Sequence, residues 1–104
     1  MRRGEVWWAD LDPPSGRRPV VLLSREAAYV IRDSITVAPV TRTIRNIPSE
    51  VLLTAEDGMA SECIVNCDNI LTVPKTILTG CIAQLTPEKI AEVEKAIKFA
   101  LGLR

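Results

Sequence analysis

Pro19-Val20-Val21-Leu22-Leu23-Ser24 is a continuous apolar run, and this stretch decides the fold. A strand with apolar residues on both sides of its pleat is predicted to be covered on both faces. Arg17 and Arg18 come directly before it, at the mouth of a turn. Because strand side chains alternate, the two arginines must face opposite sides, and a guanidinium at the start of a buried strand needs an anion. The carboxylates of this chain that spacing favours as that anion are Asp10, Asp12 and Glu62.

Further strand-like segments surround this run. Residues 5–11 are aromatic and β-branched, and they stop at a cluster of turn residues over 12–16. A polar stretch, residues 25–34, precedes a strand at 35–41 in which Pro39 favours an edge, a bulge or a bend. Asp57-Gly58 marks a turn. The remaining predicted strands are residues 49–54, 62–67, 69–73 and 79–85.

The end of the chain changes to a helical period. Thr86 is the predicted N-cap, Pro87 the first helical residue and Gly102 the C-cap. Glu94 and Lys98 are spaced for an ion pair on the exposed face. One apolar stripe recurs at spacings of three and four, namely Ile90, Val93, Ile97 and Leu101.

Together these segments predict a single domain over residues 1–104, mainly β with a C-terminal helix, in the α+β class. The predicted architecture is a small, strongly curved antiparallel sheet, a partly open barrel closed by a helix at about residues 87–101. No apolar run approaches the roughly 18 residues that a membrane span needs, and the first residues lead straight into a strand rather than a secretory leader. We therefore expect a soluble, cytoplasmic protein.

The residue types that are missing restrict the chemistry. The 104 residues include no histidine, which excludes an imidazole general base, a Ser-His-Asp triad and the usual metal sites that contain histidine. The three cysteines, Cys63, Cys67 and Cys81, are odd in number, and none are spaced Cys-x-x-Cys. We expect them to be buried, reduced thiols, and we expect neither a metal nor a cofactor.

The net charge of zero conceals a polarised chain. Residues 1–45 carry eight arginines against five acidic residues, whereas residues 46–104 carry five basic groups against eight acidic ones. All four lysines lie in the second part. The guanidinium is a fork-shaped donor suited to phosphate, so a phosphate-bearing partner is one explanation of the bias. Scattered solvated charge is the other.

Three further positions are candidates for chemistry. Thr41 ends a predicted strand beside Arg42 and Arg45, where its hydroxyl can donate to a phosphate oxygen. Asp68 lies in an apolar stretch, which suits a general acid or base, although a carboxylate bound by turn amides is the commoner case. Adjacent Trp7 and Trp8 must face opposite sides, and an exposed tryptophan near arginines can stack a base or fill an interface.

Five stretches, in order along essentially the whole chain, form a recognisable pattern. They are Arg3-Gly4-Glu5-Val6-Trp7-Trp8-Ala9-Asp10-Leu11-Asp12-Pro13, Arg17-Arg18-Pro19-Val20-Val21, Thr36-Val37-Ala38-Pro39-Val40-Thr41, Cys67-Asp68-Asn69-Ile70 and Thr86-Pro87-Glu88. The pattern resembles the MazF/PemK type of toxin from bacterial toxin–antitoxin modules. The opening Arg-Gly-Glu-Val-Trp and the Arg-Pro-Val strand are its most specific parts.

The resemblance implies a compact SH3-like barrel with a C-terminal helix, assembled as a homodimer. It also implies a metal-independent endoribonuclease that cuts single-stranded RNA at short sequences and leaves 2′,3′-cyclic phosphate and 5′-hydroxyl ends. RNA supplies its own nucleophile, the 2′-hydroxyl, which is consistent with the missing histidine. The implied inhibitor is a cognate antitoxin that lays an acidic segment across the site.

Carried over position by position, the resemblance assigns catalytic roles to Arg18, Thr41 and Asp68. Arg18 would bind the scissile phosphate, Thr41 would donate to a non-bridging oxygen, and Asp68 would take the 2′ proton. The expected RNA-binding residues around them are Arg17, Arg42, Arg45, Asn66 and Asn69.

Two departures from the family pattern leave alternatives open. Members that use the carboxylate as base carry an arginine where this chain has Asn66, and the family often has a longer loop where this chain has Ser15-Gly16-Arg17. One alternative is a toxin of the same fold that binds DNA gyrase without cutting RNA. The other is an inactive RNA-binding paralogue.

Overall fold

The computed structural model describes all 104 residues. Seven strands, one single-turn helix and one long C-terminal helix make up the regular structure. In chain order these are β1 (Glu5–Asp10), β2 (Arg17–Leu22), α1 (Ala28–Ile31), β3 (Ser34–Thr41), β4 (Glu50–Leu53), β5 (Cys63–Asn66), β6 (Leu71–Pro74), β7 (Leu78–Gln84) and α2 (Pro87–Leu101). Short 3₁₀ turns lie at Ala55–Asp57, Cys67–Asn69 and Lys75–Ile77. No helix has the length and apolarity of a membrane span.

The strands form one antiparallel sheet in the order β4-β5-β3-β2-β1-β7, with β6 also paired to β3. One edge of β3 pairs with β6 along Ser34–Val37 and then with β5 at Val40 and Thr41. Pro39, which has no N–H to donate, lies at this change of partner. The mainly β fold is confirmed, and the sheet is a curved path that ends at β4 and β7 rather than a closed barrel.

Strand β2 is buried on both faces, as its apolar run predicts. Val20 and Leu22 pack into one hydrophobic cluster, and Val21 between them packs into another. The cluster that contains Val21 is the larger, and α2 covers it. All three side chains are at most 1% exposed. The strand therefore anchors the sheet from both sides, and its first residues project from a fixed backbone.

Helix α2 begins and ends where its caps predict. The Thr86 hydroxyl accepts the Lys89 N–H at 3.2 Å, and Gly102 ends the helix in the left-handed conformation. Val93 is buried in the larger cluster, but Leu101 is 53% exposed, so the predicted stripe is wrong at its last position. The core-facing positions near the end of the helix are instead Ala96, Ile97 and Ala100.

The predicted pairing of Glu94 with Lys98 is also wrong. Glu94 instead binds the guanidinium of Arg3 at 2.8 Å, which ties the helix to the segment before β1. Beside this pair, Gly4 has φ +86°, and a β-carbon there would overlap the end of the Ile90 side chain. A glycine is therefore required for the helix to approach the chain at this point.

The polar stretch at residues 25–34 is more ordered than its composition indicates. It contains α1, whose Tyr29 packs into the smaller cluster while its hydroxyl donates to the Ser24 carbonyl at 2.9 Å. Burial raises the pKa of Tyr29 to about 12. A single buried aromatic residue holds this turn against the sheet, and such an anchor carries no helical period in the sequence.

Candidate active site

Arg17 and Arg18 are the first two residues of β2, opposite Asp10 and Ala9 of β1. Arg17 is exposed, and its guanidinium lies over the ring of Trp8, 4.3 Å from the centroid. Arg18 is half-buried, and its Nε is shielded from solvent without a hydrogen-bond partner. Neither arginine forms an ion pair with a carboxylate of this chain. The internal-carboxylate alternative for their partner is therefore wrong.

Two clefts adjoin this end of β2, and both are lined by Arg18, Thr41 and Thr43. The first has a volume of about 550 Å³ and the second about 330 Å³. Arg17 lines only the first cleft, whereas Arg18 lines both. Arg18 thus lies where the two clefts meet.

The first cleft is bounded by β1, β2, the end of β3 and the turn after the first 3₁₀ segment. Its remaining lining residues are Trp8, Pro19, Val40, Arg42, Gly58, Met59, Ala60, Ser61, Cys63 and Ile82. The second cleft is more polar and receives the turn after β5. Its remaining lining residues are Leu11, Ser15, Pro39, Arg45, Asn66, Asn69 and Leu71.

The Thr41 hydroxyl is set up as a donor. Its Oγ1 accepts the backbone N–H of Thr43 at 3.2 Å, and no protein acceptor takes its own proton. Since both residues line both clefts, the free O–H is available to a ligand held between them. The predicted pairing of Arg18 with Thr41 in one site is thus matched by the geometry.

The clefts are cationic. Four arginines line them, namely Arg17, Arg18, Arg42 and Arg45, and no carboxylate does. Arg45 has a partner outside the clefts, because its backbone N–H donates to Glu50 at 2.9 Å and its guanidinium lies 3.7 Å from the same carboxylate. The other three guanidinium groups have no ion-pair partner, so the net field favours an anionic ligand.

Asp68 lies beside the second cleft rather than in its lining. Its carboxylate accepts the hydroxyl of buried Ser49 at 2.5 Å, and its backbone N–H donates to the side chain of Asn66 at 3.0 Å. These bonds hold the 3₁₀ turn Cys67–Asn69, which presents Asn66 and Asn69 to the cleft. Of the eight predicted site residues, the clefts bring together seven, and Asp68 is the exception.

The cysteines differ from one another. Cys63 and Cys67 are buried and unbridged, as expected, and burial raises the pKa of both thiols, that of Cys67 to about 11. Cys81 is exposed, contrary to expectation, because it lies with Thr79 on the uncovered face of β7. No group of three or more His, Cys, Asp or Glu side chains is placed to hold a metal ion.

Some lining residues have no role in the sequence-based prediction. Thr43 follows β3 by two residues and is brought to the clefts by the bend at Arg42, where its N–H donates to Thr41. Met59 and Ser61 carry no signal in the sequence, since their turn reaches the first cleft only through the pairing of β5 with β3 and β4. The tryptophans do face opposite sides: Trp7 packs against the smaller cluster, and Trp8 lines the first cleft.

Comparison with known proteins places this site in a family. The family model described as PemK-like, MazF-like toxin of type II toxin-antitoxin system matches residues 2–101. The chain belongs to this toxin family. A relative named "Probable endoribonuclease MazF2" from Mycobacterium tuberculosis is 39% identical over 103 residues, which cover 98% of this chain and 99% of the relative.

Solved structures of the family extend the agreement to the fold. The structure titled "Mycobacterium tuberculosis toxin MazF-mt6" has a TM-score of 0.89 at 32% identity, covering 96% of this chain and 98% of that one. A mycobacterial endoribonuclease solved "in complex with its cognate antitoxin" has a TM-score of 0.88 at 29% identity, covering 100% and 97%. The family resemblance predicted from the sequence is therefore confirmed, and the similarity of structure extends over essentially the whole chain.

Proposed function

We propose that this chain is the toxin of a toxin–antitoxin module and cleaves single-stranded RNA as a sequence-preferring, metal-independent endoribonuclease. One observation carries the proposal. Arg18 is half-buried with an unpartnered Nε, at the junction of two arginine-lined clefts and beside the free hydroxyl of Thr41. A phosphodiester fits this arrangement, because its negative charge would pair with Arg18 and the base on either side of it would enter one of the two clefts. Relatives named endoribonuclease favour RNA cleavage over the gyrase-binding alternative.

In the proposed reaction, the RNA 2′-oxygen attacks the adjacent phosphorus while the bond to the 5′-oxygen breaks. The products are a 2′,3′-cyclic phosphate and a 5′-hydroxyl, and DNA is not cut because it lacks the nucleophile. Arg18 stabilises the negative charge that builds up on the phosphate oxygens, and Thr41 donates to a non-bridging oxygen. Their backbone positions on paired strands β2 and β3 keep this geometry in place before substrate binds.

Two protons move in this reaction. The 2′-hydroxyl loses its proton, and the leaving 5′-oxygen gains one, which Arg18 or water supplies. Asp68 is the sequence-predicted base, but its carboxylate is bound to Ser49 outside the cleft lining. We therefore propose that the 2′ proton passes to water and that Asp68 is a positioning residue, which holds the turn bearing Asn66 and Asn69.

The proposed partners follow from the same clefts and from the family. A cognate antitoxin with an acidic C-terminal segment would bind the arginines and compete with RNA; a structural relative was solved in complex with its cognate antitoxin. A homodimer would cover part of the apolar surface at the end of α2, where Phe99, Leu101 and Leu103 are each more than half exposed. Cleavage of cellular RNA implies action in the cytoplasm.

The test is to incubate purified, antitoxin-free protein with a long single-stranded RNA in EDTA and to map the ends. The expected result is discrete cuts with cyclic-phosphate and 5′-hydroxyl ends, which disappear in Arg18→Ala. Arg32→Ala is the matched control, because Arg32 is an exposed arginine that lines neither cleft. Intact RNA from folded protein would overturn the proposal and favour the binding-type toxin or the inactive paralogue.

A further inference from the structure

We infer that the two clefts handle the two bases beside the scissile phosphate by different chemistry. The first cleft holds its base by stacking and accepts any base, whereas the second cleft selects its base by hydrogen bonds from side-chain amides. This inference rests on the proposed ribonuclease function. Its starting point is that Arg18, Thr41 and Thr43 line both clefts, so a phosphate bound by them has one cleft on each side.

The first cleft contains a flat cationic platform. The Arg17 guanidinium lies over the Trp8 indole at 4.3 Å, which leaves the outer plane of the guanidinium available. Apolar side chains, Pro19, Met59 and Ile82, complete the wall. Every base has a π-face, and both guanidinium planes and aromatic rings stack bases with little regard to sequence. No side-chain amide lines this cleft.

The second cleft carries both of the amide side chains in the site, on Asn66 and Asn69. Asn66 uses its Oδ1 to accept the Asp68 N–H at 3.0 Å, so its NH₂ group remains as a donor. Asn69 forms no side-chain hydrogen bond within the chain and offers both a donor and an acceptor. Asparagine amides discriminate base edges because a mismatched edge leaves a polar group unpaired.

The turn that carries these amides is fixed before RNA arrives. Asp68 is held by Ser49, and Cys67 is fully buried in the larger cluster. Amides on a fixed turn reject a wrong edge instead of moving to accommodate it. The fixed backbone of this turn therefore agrees with selection by hydrogen bonds in the second cleft.

The test of the second cleft uses an RNA library randomised around the cut, with the cleaved sequences counted for each variant. Asn66→Asp keeps the oxygen that caps the turn and replaces the donor by an acceptor. It should shift selection at one position next to the cut toward the bases with exocyclic amino groups, adenine, cytosine and guanine, and away from uracil. Asn69→Ala should weaken selection at that same position, by roughly tenfold. The other neighbouring position should keep its wild-type profile.

The test of the first cleft separates stacking from charge. Arg17→Lys keeps the charge and loses the plane, so it should lower kcat/KM by roughly tenfold on all sequences, mainly through KM, with the selection profile unchanged. Trp8→Leu should act in the same way. Arg17 is exposed, so its variant tests the idea even where Trp8→Leu destabilises the fold. Asn46→Gly is the control, since Asn46 is an exposed asparagine with φ +56° that lines neither cleft.

The outcomes distinguish a failure of this inference from a failure of the proposed ribonuclease function. Absence of cutting by the wild type would refute the proposed function itself. Cutting by the wild type with an unaltered profile in both asparagine variants would overturn the inference alone. So would a change of base preference in Arg17→Lys, because a stacking platform affects all bases alike.

Discussion

Two arginines from the same arginine-rich part of the chain have opposite surroundings. Arg3 lies under α2, where its guanidinium binds Glu94 at 2.8 Å and the Leu23 carbonyl at 3.2 Å. Arg18 lies where the two clefts meet, with no ion pair and a buried Nε that has no partner. We call these regions the helix-covered face and the cleft face. The helix-covered face is the larger cluster and its rim under α2, without those cluster members that line the first cleft, namely Val40, Met59 and Cys63. The cleft face is the lining of the two clefts.

The difference separates polar groups that stabilise the fold, which have partners within the chain, from polar groups that are available to a ligand, which have none. On the helix-covered face the charged groups at the rim find partners within the chain. On the cleft face a buried donor without a partner costs about 1–3 kcal/mol of stability. An unpartnered polar group of this kind is expected at functional sites, where a bound ligand supplies the missing hydrogen-bond partner. The contrast can be tested by changing one group on each face.

The largest expected effect is the loss of activity in Arg18→Ala. The RNA cleavage rate should fall by about 10²–10³-fold, because a donor to the developing phosphate charge is removed. The free energy of unfolding should not fall and should rise by up to about 1–3 kcal/mol, since the unpartnered buried donor is removed and no internal partner is left unpaired. Rates on a fixed RNA and urea unfolding of the same preparation measure the two quantities.

Arg3→Ala is the reverse case and the control. It should leave the cleavage rate unchanged and lower the free energy of unfolding by up to about 1 kcal/mol, because the ion pair with Glu94 is half-exposed. If Arg18→Ala destabilised the fold as Arg3→Ala does, Arg18 would belong to the structural arginines, and the contrast would disappear.

The next prediction concerns a substitution that destabilises the helix-covered face. Gly4→Ala should reduce the free energy of unfolding by about 2–3 kcal/mol, because it forces a side chain into the left-handed region and against Ile90. Gly16→Ala is the matched control, as Gly16 has φ +62° but no atom within 4 Å of the added carbon. Equal losses in urea unfolding would show that backbone strain alone matters and that the approach of α2 does not.

A smaller effect sharpens the description of the cleft face. Thr41→Val should lower the cleavage rate roughly tenfold, because the donor to the phosphate is lost, while Thr41→Ser should retain most of the rate. Single-turnover cleavage at saturating RNA measures the step directly. A loss in Thr41→Ser with the rate retained in Thr41→Val would instead point to a packing role for the methyl group, which serine lacks and valine keeps.

Much of the helix-covered face was predictable, because its signals are local. The caps of α2 lie within a few residues of each end, and the burial of β2 on both faces follows from three successive apolar residues, Val20 to Leu22. Leu101 was misjudged because spacings of three and four fit two adjacent faces of the helix, and the face with Ala96 and Ala100 is the one that packs. Cys81 was misjudged because its sequence surroundings do not reveal which face of β7 is left uncovered.

The cleft face was predictable only in part. Arg18 and Thr41 stand out because each marks an end of a strand, and the family resemblance names them. Their meeting depends on the pairing of β2 with β3, and the contribution of Met59 depends on a turn brought in by β5. The engagement of Asp68 by Ser49 joins residues 19 positions apart, so nothing local indicates it.

The smallest expected effect concerns Asp68, on the turn between the two faces. Cys67 packs into the larger cluster and Asn69 lines the second cleft, so the turn is shared by both regions. Asp68→Asn keeps an oxygen that accepts the Ser49 hydroxyl, and the cleavage rate should stay within about threefold of wild type. Asp68→Ala leaves that buried hydroxyl unpaired and should lower stability by about 1 kcal/mol. A hundredfold loss of rate in Asp68→Asn, with unchanged unfolding, would instead make this carboxylate the proton acceptor, and the cleft face would then include the whole turn.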